Sequence, residues 1–512
     1  MQKTSLICNN FSGINRNHSR YSSSIITASD LQNVELFSTE NNSGVGIRTM
    51  NGNIAVSDFI PEEETIVNIF ESIQKSKTYF FVHTESIAEG KIYLFSPENG
   101  ELNLKVQGLT ITGKSSATDV SQGWNDLWIF SNSEEILSIQ IDNYDTEGDL
   151  DEITMMHLTD PEGRTVKGLG LVVFAGRLWI FNNQILWYSV QENIYDFATS
   201  DTEIVTSAGY IEFLKNITAI YPYLGSLAVF HSNSSCMIAQ NEEDQSFYKS
   251  FDSPGGCAGF ESLVFHGTQL YFYDDTKKGV FSFLQVINGD KTLGENIALE
   301  IQDELFSIPS SQLNKIKALS VVTSDRNEVW LLLPSDDNNS TIMIYDYLRN
   351  AWVKRKSQKL NSIRVIGGKL YSAGKKIYEE YNSQEFDGEF IEAFYKCSPL
   401  NLEVENSLKI LAYPPKITMN MYYSNDFYIE YTKDYNSLTT KIRRIVSKTL
   451  KNVLYFDNGF WDINIFPHEK INVIKKLPAT YFKTLQMNFY TKDLGQNFCI
   501  NNIEFGKIKT KI

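Results

Sequence analysis

The sequence predicts an all-β protein, a β-propeller of about seven blades, with six as the alternative, followed by a C-terminal antiparallel β-sandwich. Three observations predict it. Hydrophobic alternation of period two dominates, and no dozen residues show a 3.6 period with caps at both ends. The 32 Phe, 27 Tyr and 7 Trp gather in short strand-like runs such as Thr78-Tyr79-Phe80-Phe81-Val82 and Asp126-Leu127-Trp128-Ile129-Phe130. Those runs repeat: Tyr79, Leu127, Leu178, Leu227, Leu270, Val329 and Leu370 occupy equivalent positions, 41 to 59 residues apart.

Residues 1–59 are rich in Asn and Ser and read as an extended segment associated with the propeller, able to lend it a strand or to reach a neighbour. Residues 60–392 hold the repeats. Each unit reads as a strand, a tight turn, the aromatic strand, a second turn and further strands; in Gly176–Ser189 the pair Asn182-Asn183 makes the hairpin. One four-stranded unit of this length cannot bury both of its faces, whereas a closed ring of them can. Two unrelated sandwiches with regular turn spacing are the plainer alternative. At about residue 393 the repeat stops. The charge changes sign at the same place: residues 393–512 carry 17 basic and 10 acidic side chains, a net +7, while the preceding 392 carry 29 and 52, a net −23. Alternation continues in Ile417–Tyr423 and Leu485–Tyr490, which predicts the small sandwich.

Composition excludes several function classes. With 512 residues, 21% charged and 42% hydrophobic, the chain can bury a sizeable core. Its net charge of −16 argues against a nucleic-acid grip over the whole surface. No apolar run approaches the ~20 residues that span a bilayer, and Leu6-Ile7-Cys8 is too short for the core of a secretory signal. The five cysteines are scattered, without metal-ligand spacing, which fits synthesis in a reducing compartment.

Chemical motifs are few. Gly108-Leu109-Thr110-Ile111-Thr112-Gly113-Lys114-Ser115 matches the phosphate-binding pattern GxxxxGK[ST]. That loop works only between a parallel strand and a helix, and Leu109–Thr112 are strand-like while residues 116–123 lack an apolar helical stripe, so an inter-strand turn is expected. The acidic run from Asp142 to Glu152 has no register that puts glycine sixth in a calcium loop, and a solvated hairpin loop is the favoured reading. Neither HExxH nor GxSxG occurs; Cys257 and His266, nine residues apart, read as a structural thiol and an unrelated imidazole. No catalytic, metal or cofactor-binding residue is therefore assigned, and no enzymatic activity is expected. The candidate partner-docking residues are Lys441, Arg443, Arg444, Lys448 and Lys451, closely spaced cations suited to an acidic partner; the alternative is that they solubilise a sheet edge.

The start of the chain carries a family resemblance. Asn10-Phe11-Ser12-Gly13-Ile14-Asn15, then Ala28-Ser29-Asp30-Leu31-Gln32-Asn33-Val34-Glu35, then Gly46–Gly52 resemble the opening of the tail nozzle and hub proteins of short-tailed bacteriophages, also called tail tubular or DNA-stabilisation proteins. Ile185–Ser189, Ile194–Phe197, Ile217–Ile220 before Leu227–Phe230, and Ile342–Asp346 with Ala351-Trp352 look like that family's later motifs. The chain departs from the pattern in its single Gly13 and in Thr49-Met50-Asn51 between Arg48 and Gly52. The resemblance implies a propeller with an appended sandwich, a ring of usually six copies in the virion tail, assembled in the host cytoplasm. It further implies contact with a portal or adaptor-type ring and other tail proteins, and genomic DNA passing through the lumen without specific binding. The competing expectation is a glycan-binding or glycan-active propeller, which would set aromatics and carboxylates in one axial pocket.

Overall fold

The computed structural model describes residues 6–15, 25–39, 44–57, 60–61, 63–122, 125–141, 152–200, 206–241, 246–283, 294–335, 338–400, 408–411, 415–420, 424–434, 436–445, 470–474, 482–506 and 508–510. Seven small antiparallel sheets follow one another as the blades of a propeller: 65–109, 116–155, 169–212, 217–253, 263–283, 317–358 and 360–383. Every reference position of the repeat, from Tyr79 to Leu370, lies on the second strand of its blade.

Alternation on these second strands explains the stacking. Successive side chains point to opposite faces of a strand, so each aromatic run feeds two cores. In blade two, Trp128 and Phe130 pack against Phe70 and Phe81 of blade one, with Phe81 stacked on Trp128 at 4.1 Å. Leu127 and Ile129 face the other way, onto Leu178 and Ile180 of blade three. Blade three repeats the division, sending Trp179 and Phe181 toward Leu227 and Val229 of blade four. Each such side chain, withdrawn from water, contributes roughly 1.5–3 kcal/mol, and neither face of a blade could be left uncovered. Polar ties reinforce the seams: Asp119 of blade two accepts from the Ser72 hydroxyl (2.7 Å) and the Ile73 amide (2.8 Å) of blade one.

Closure uses the start of the chain. Strands β1 (Leu6–Cys8), β2 (Asn10–Ile14), β3 (Ile25–Gln32), β4 (Val34–Ser38) and β5 (Val45–Thr49) belong to a second body, and β6 (Gly52–Ala55) then forms the fourth strand of blade seven, Asn53 opposite Glu380. The inner strand of blade seven packs on that of blade one, and Glu71 accepts the Gly367 amide at 2.8 Å. Among the described residues blade five has three strands, with Asn296 bridged to Phe281 at its outer edge; a connector of short helical turns, Leu299–Ile301, Gln302–Phe306 and Ser310–Lys315, follows and buries Ile301, Leu305 and Leu313. No described helix is long and apolar enough to cross a membrane.

The second body differs in make-up from a sandwich built from residues 393–512 alone. Among the described residues it is one curled mixed sheet of 12 strands, in which β1–β5 join strands of the C-terminal region. β2 runs parallel to both β3 and β5, β3 pairs with Phe394–Cys397, and β5 pairs with Cys499–Phe505. The physical reason is that alternation marks a strand without naming its partner, and the N-terminal strands pair at the middle of this sheet.

The two bodies share one hydrophobic core. β2, β3 and β4 pack on the outer strand of blade six, Ala351–Gln358. Gly13 is required there, since a Cβ would stand 2.2 Å from the Trp352 carbonyl oxygen. Asn33, at φ +53°, donates its amide to the Lys354 carbonyl while its side chain accepts the Lys356 amide, both at 2.8 Å. Beneath this seam the Arg355 guanidinium pairs with Glu380, both side chains withdrawn from solvent; Arg355 also donates to the Asn51 carbonyl at 2.7 Å and Asn53 to Glu380 at 2.9 Å. Beside it, Glu35 lies between Arg48 (2.6 Å) and Arg326 (2.8 Å), and Arg326 covers the Tyr381 ring at 3.4 Å. Burial raises the Glu35 pKa, but the two arginines outweigh it and hold the carboxyl below its ordinary range.

Candidate functional site

The predicted docking cations separate on folding. Lys441, Arg443 and Arg444 lie exposed on Asn436–Ile445, a strand at one edge of the mixed sheet among the described residues, whereas Lys448 and Lys451 lie outside the described residues. Cross-strand register puts Lys441 opposite Tyr431 and Arg443 opposite Ile429, so both stand on the buried face where it runs out at the edge. Arg444 is opposite Tyr428 on the other face and pairs with Asp426 at 2.5 Å. Two cations overhanging the core margin are a device by which proteins blunt a sheet edge, and they also leave positive charge available to a partner.

A second site lies where the inner strands of the blades begin. The axial mouth of the propeller is a depression of about 870 Å³, lined in part by Glu85, Lys114, Glu261, Lys315, Lys317 and Lys359. Lys317 opens the inner strand of blade six, Lys359 directly precedes that of blade seven, and Lys114 comes two residues before that of blade two. Repetition thus brings to one axis three cations that are far apart in sequence. Lys317 Nζ lies 3.0 Å from Glu261 Oε1 and 3.1 Å from the Val67 carbonyl oxygen, and Asn68 also donates to Glu261 at 2.8 Å.

The phosphate-loop look-alike sits at this mouth as the link between blades one and two, an inter-strand turn as expected, although of the strand-like Leu109–Thr112 only Leu109 lies in a strand. Its amides are already occupied: Thr112 and Gly113 donate to the Glu85 carboxylate at 2.9 and 3.0 Å. The backbone donors that would wrap a phosphate hold a carboxylate of the same chain. Nearby, Ser115 Oγ is 3.1 Å from His83 Nδ1, and His83 Nε2 is 3.9 Å from Glu85 Oε1. The order Ser–His–Glu is that of a nucleophilic triad, but the chemistry does not follow from it. Ser115 and His83 are buried, and burial, aided by the charge of Lys317, pushes the imidazole down to about 3, too weak a base to take a hydroxyl proton.

Other motifs resolve as structure. Burial pushes the Cys257 thiol up to about 12, away from the thiolate a nucleophile needs; its sulfur is 3.2 Å from the Gly259 carbonyl oxygen, while His266 meets the Ser320 hydroxyl at 2.9 Å. Of the acidic run, residues 142–151 lie outside the described residues, and Glu152 begins the exposed outer strand of blade two. No group of three metal-ligating side chains stands together among the described residues. The described lining of the axial mouth contains no aromatic side chain. Sequence reading missed Glu261, Lys315, Lys317 and Lys359; the signal that could have found the last two is lysine recurring at the start of inner strands.

The fold and these two sites define a class: a closed seven-bladed propeller locked to a curled mixed sheet, with a basic edge and a lysine-lined axial mouth. The chain matches no protein-family model, and a search of curated proteins finds no match.

Proposed function

We propose that the chain is a structural protein of a virion tail, the nozzle or hub subunit of a short-tailed bacteriophage. Assembled in the host cytoplasm, six copies form a ring that docks a portal or adaptor-type ring and other tail proteins and encloses part of the DNA exit path. One observation carries this reading: residues near the start of the chain that bear the resemblance help to build the joint between the two bodies. Gly13 meets Trp352, Asn33 stitches β4 to blade six, Arg48 pairs with Glu35, and Gly52 opens the strand that closes blade seven, where a Cβ would stand 1.9 Å from the Glu385 carbonyl oxygen. The resemblance implies a propeller with an appended sandwich; the structure has the propeller, with a curled mixed sheet as the appended body.

Charge is consistent with the role. The −23 of residues 1–392 favours keeping a sliding polyanion in solvent, and Lys441, Arg443 and Arg444 suit an acidic neighbour, whose approach complementary fields speed and orient. The glycan reading loses support, because sugar faces stack on aromatic rings and the described mouth offers none. Electron microscopy of the purified protein, alone and mixed with neighbouring tail proteins, tests the proposal. Rings with sixfold symmetry are expected, and replacing Arg443, Arg444 and Lys448 by Glu should weaken docking at low salt while the isolated fold persists. A chain that stays monomeric at high concentration and in the presence of those proteins overturns the reading.

A further inference from the structure

We propose that the chain binds a second copy of itself head to tail, the basic edge strand Asn436–Ile445 of one copy meeting the acidic outer edge of blade two, Glu152–Met155, of the next. This contact rests on the docking role given to Lys441 and Arg443 above and names the neighbour they meet.

Charge is divided unevenly around the propeller. Blade two, residues 116–155, carries ten acidic side chains and no lysine or arginine, a net −10. Blade three (169–212) carries five acidic and one basic side chain, a net −4, and blade four (217–253) four and one, a net −3, so the three together hold −17. Blades five, six and seven (263–283, 317–358 and 360–383) carry 12 basic and nine acidic side chains, a net +3. In a closed ring of seven blades, two to four stand across from six and seven, and it is to blades six and seven that the second body is joined. The edge strand Asn436–Ile445 lies four strands out from β3, which packs on blade six, or roughly 19 Å at the usual strand spacing. One copy therefore carries opposite charge on opposite sides, the condition that favours a head-to-tail contact over a self-complementary one.

On the basic half, Arg444 is already paired with Asp426 and contributes nothing to the count. Lys441 and Arg443 are exposed and make no ion pair among the described residues. The residues opposite and diagonal to them on the neighbouring strand are Phe427, Ile429, Tyr431 and Lys433, none of them acidic; Glu430 stands on the other face, opposite Ile442. Tyr431, buried opposite Lys441, has a hydroxyl without a hydrogen-bond partner, and the charge of Arg443 acts on that phenol. A carboxylate entering beside Lys441 and Arg443 would meet two cations and offer the hydroxyl an acceptor.

The acidic half is open in the same way. All four residues of Glu152–Met155 are exposed, and Ile153 and Met155 remain so although their cross-strand partners Ile139 and Leu137 are buried. Each of the two strands is the last of its sheet among the described residues, which leaves one edge of each for main-chain pairing with another strand. Ile442, half exposed on the basic strand, gives that side an apolar residue for the contact as well.

The test uses the full chain in sedimentation velocity at about 50 mM salt and again at about 1 M, where charges act over only ~3 Å. Self-association is expected at the lower salt, and most of it should be lost at the higher. Lys441→Glu with Arg443→Glu reverses the basic half, and Glu152→Lys with Thr154→Lys the acidic half. Each double variant alone should associate about tenfold more weakly than the parent, with the unchanged unfolding midpoint expected of exposed positions. Mixing the two variants joins opposite charges again and should restore association, a gain that misfolding of either variant cannot produce. A parent that stays monomeric at about 50 mM salt, a variant that associates as the parent does, or a mixture no more associated than its components overturns the contact. Rings formed equally by the parent and by both variants reject it and leave the tail reading standing. Pairs and arcs that depend on both halves but never close into rings support it and count against the six-copy ring.

Discussion

Replacing Glu380 by Gln should loosen the whole molecule, because it removes one charge of a pair that has no access to water. Glu380 accepts from Arg355, from the Asn53 side chain at 2.9 Å and from the Ser372 hydroxyl, and both ionic partners are fully withdrawn from solvent. A carbamoyl group keeps the shape and leaves the Arg355 guanidinium buried without its counter-charge. Breaking a buried pair by removing one partner costs about 3–5 kcal/mol. For a chain of this length unfolding as one unit, an unfolding entropy of about 2.1 cal/mol/K per residue gives roughly 1 kcal/mol per kelvin, so the melting temperature should fall by about 3–5 °C. Calorimetry measures that shift, and hydrogen exchange locates it: the amides of β6, held on blade seven by Asn53, should exchange faster than those of blades two to four. Arg355→Met combined with Glu380→Leu should recover most of the loss, since an apolar pair has no charge to desolvate. A Glu380→Gln protein within about 1 kcal/mol of the parent, or a double variant no more stable than the single, refutes the claim that this pair governs the joint.

Gly13→Ala should cost about 1–3 kcal/mol in urea unfolding, because its Cβ would collide with the Trp352 carbonyl and push β2 off blade six. Lys114→Ala should shift the unfolding midpoint by less than about 0.5 kcal/mol, and neither it nor the parent should hydrolyse ATP in a phosphate-release assay; Lys114-dependent hydrolysis would mean that the loop amides are free of Glu85. Stability should fall in acid as Glu35 protonates. Its folded pKa is depressed, so its contribution is fully present above the ordinary carboxylate value and is lost as pH falls through the lower folded value; Arg326→Met should flatten that acid limb in pH-dependent denaturation, and an unchanged limb would count against the Arg48–Glu35–Arg326 cluster as its source.

The blade repeat was legible because each second strand must satisfy two neighbouring blades, so Trp128, Phe130, Trp179 and Phe181 recur at fixed alternation whatever the loops do. Partnership over long separations was not. Asn53 pairs with Glu380 across 327 residues, and nothing local to either position marks the other. The helical connector after blade five left only a trace, the 59-residue step from Leu270 to Val329, because the helix Gln302–Phe306 is too short to impose a 3.6 period. At the axial mouth, Lys114, Lys317 and Lys359 are ordinary surface-type residues in sequence, and only ring closure brings them together. The docking cations show the opposite limit: a dense run suggested one patch, yet strand alternation sends Arg444 to the face opposite Lys441 and Arg443.

The strand that completes blade seven leaves the ribosome before every other blade strand and finds its partner only when the seventh blade emerges. At about 5–20 residues per second, the 327 residues between Asn53 and Glu380 take roughly 15–65 s to synthesise, and through that interval β6 has no ladder to join. β5 meets its neighbour β4 at once, Val34 opposite Thr49, whereas its pairing with Cys499–Phe505 can form only after the propeller has been made. Translation therefore proceeds with blades one to six stacking in order while β6 stays unpaired, and the ring can seal once Ile377–Ser383 has emerged. A ribosome stalled before residue 380 should hold an open, protease-sensitive arc, and one released after the C-terminal strands a resistant particle.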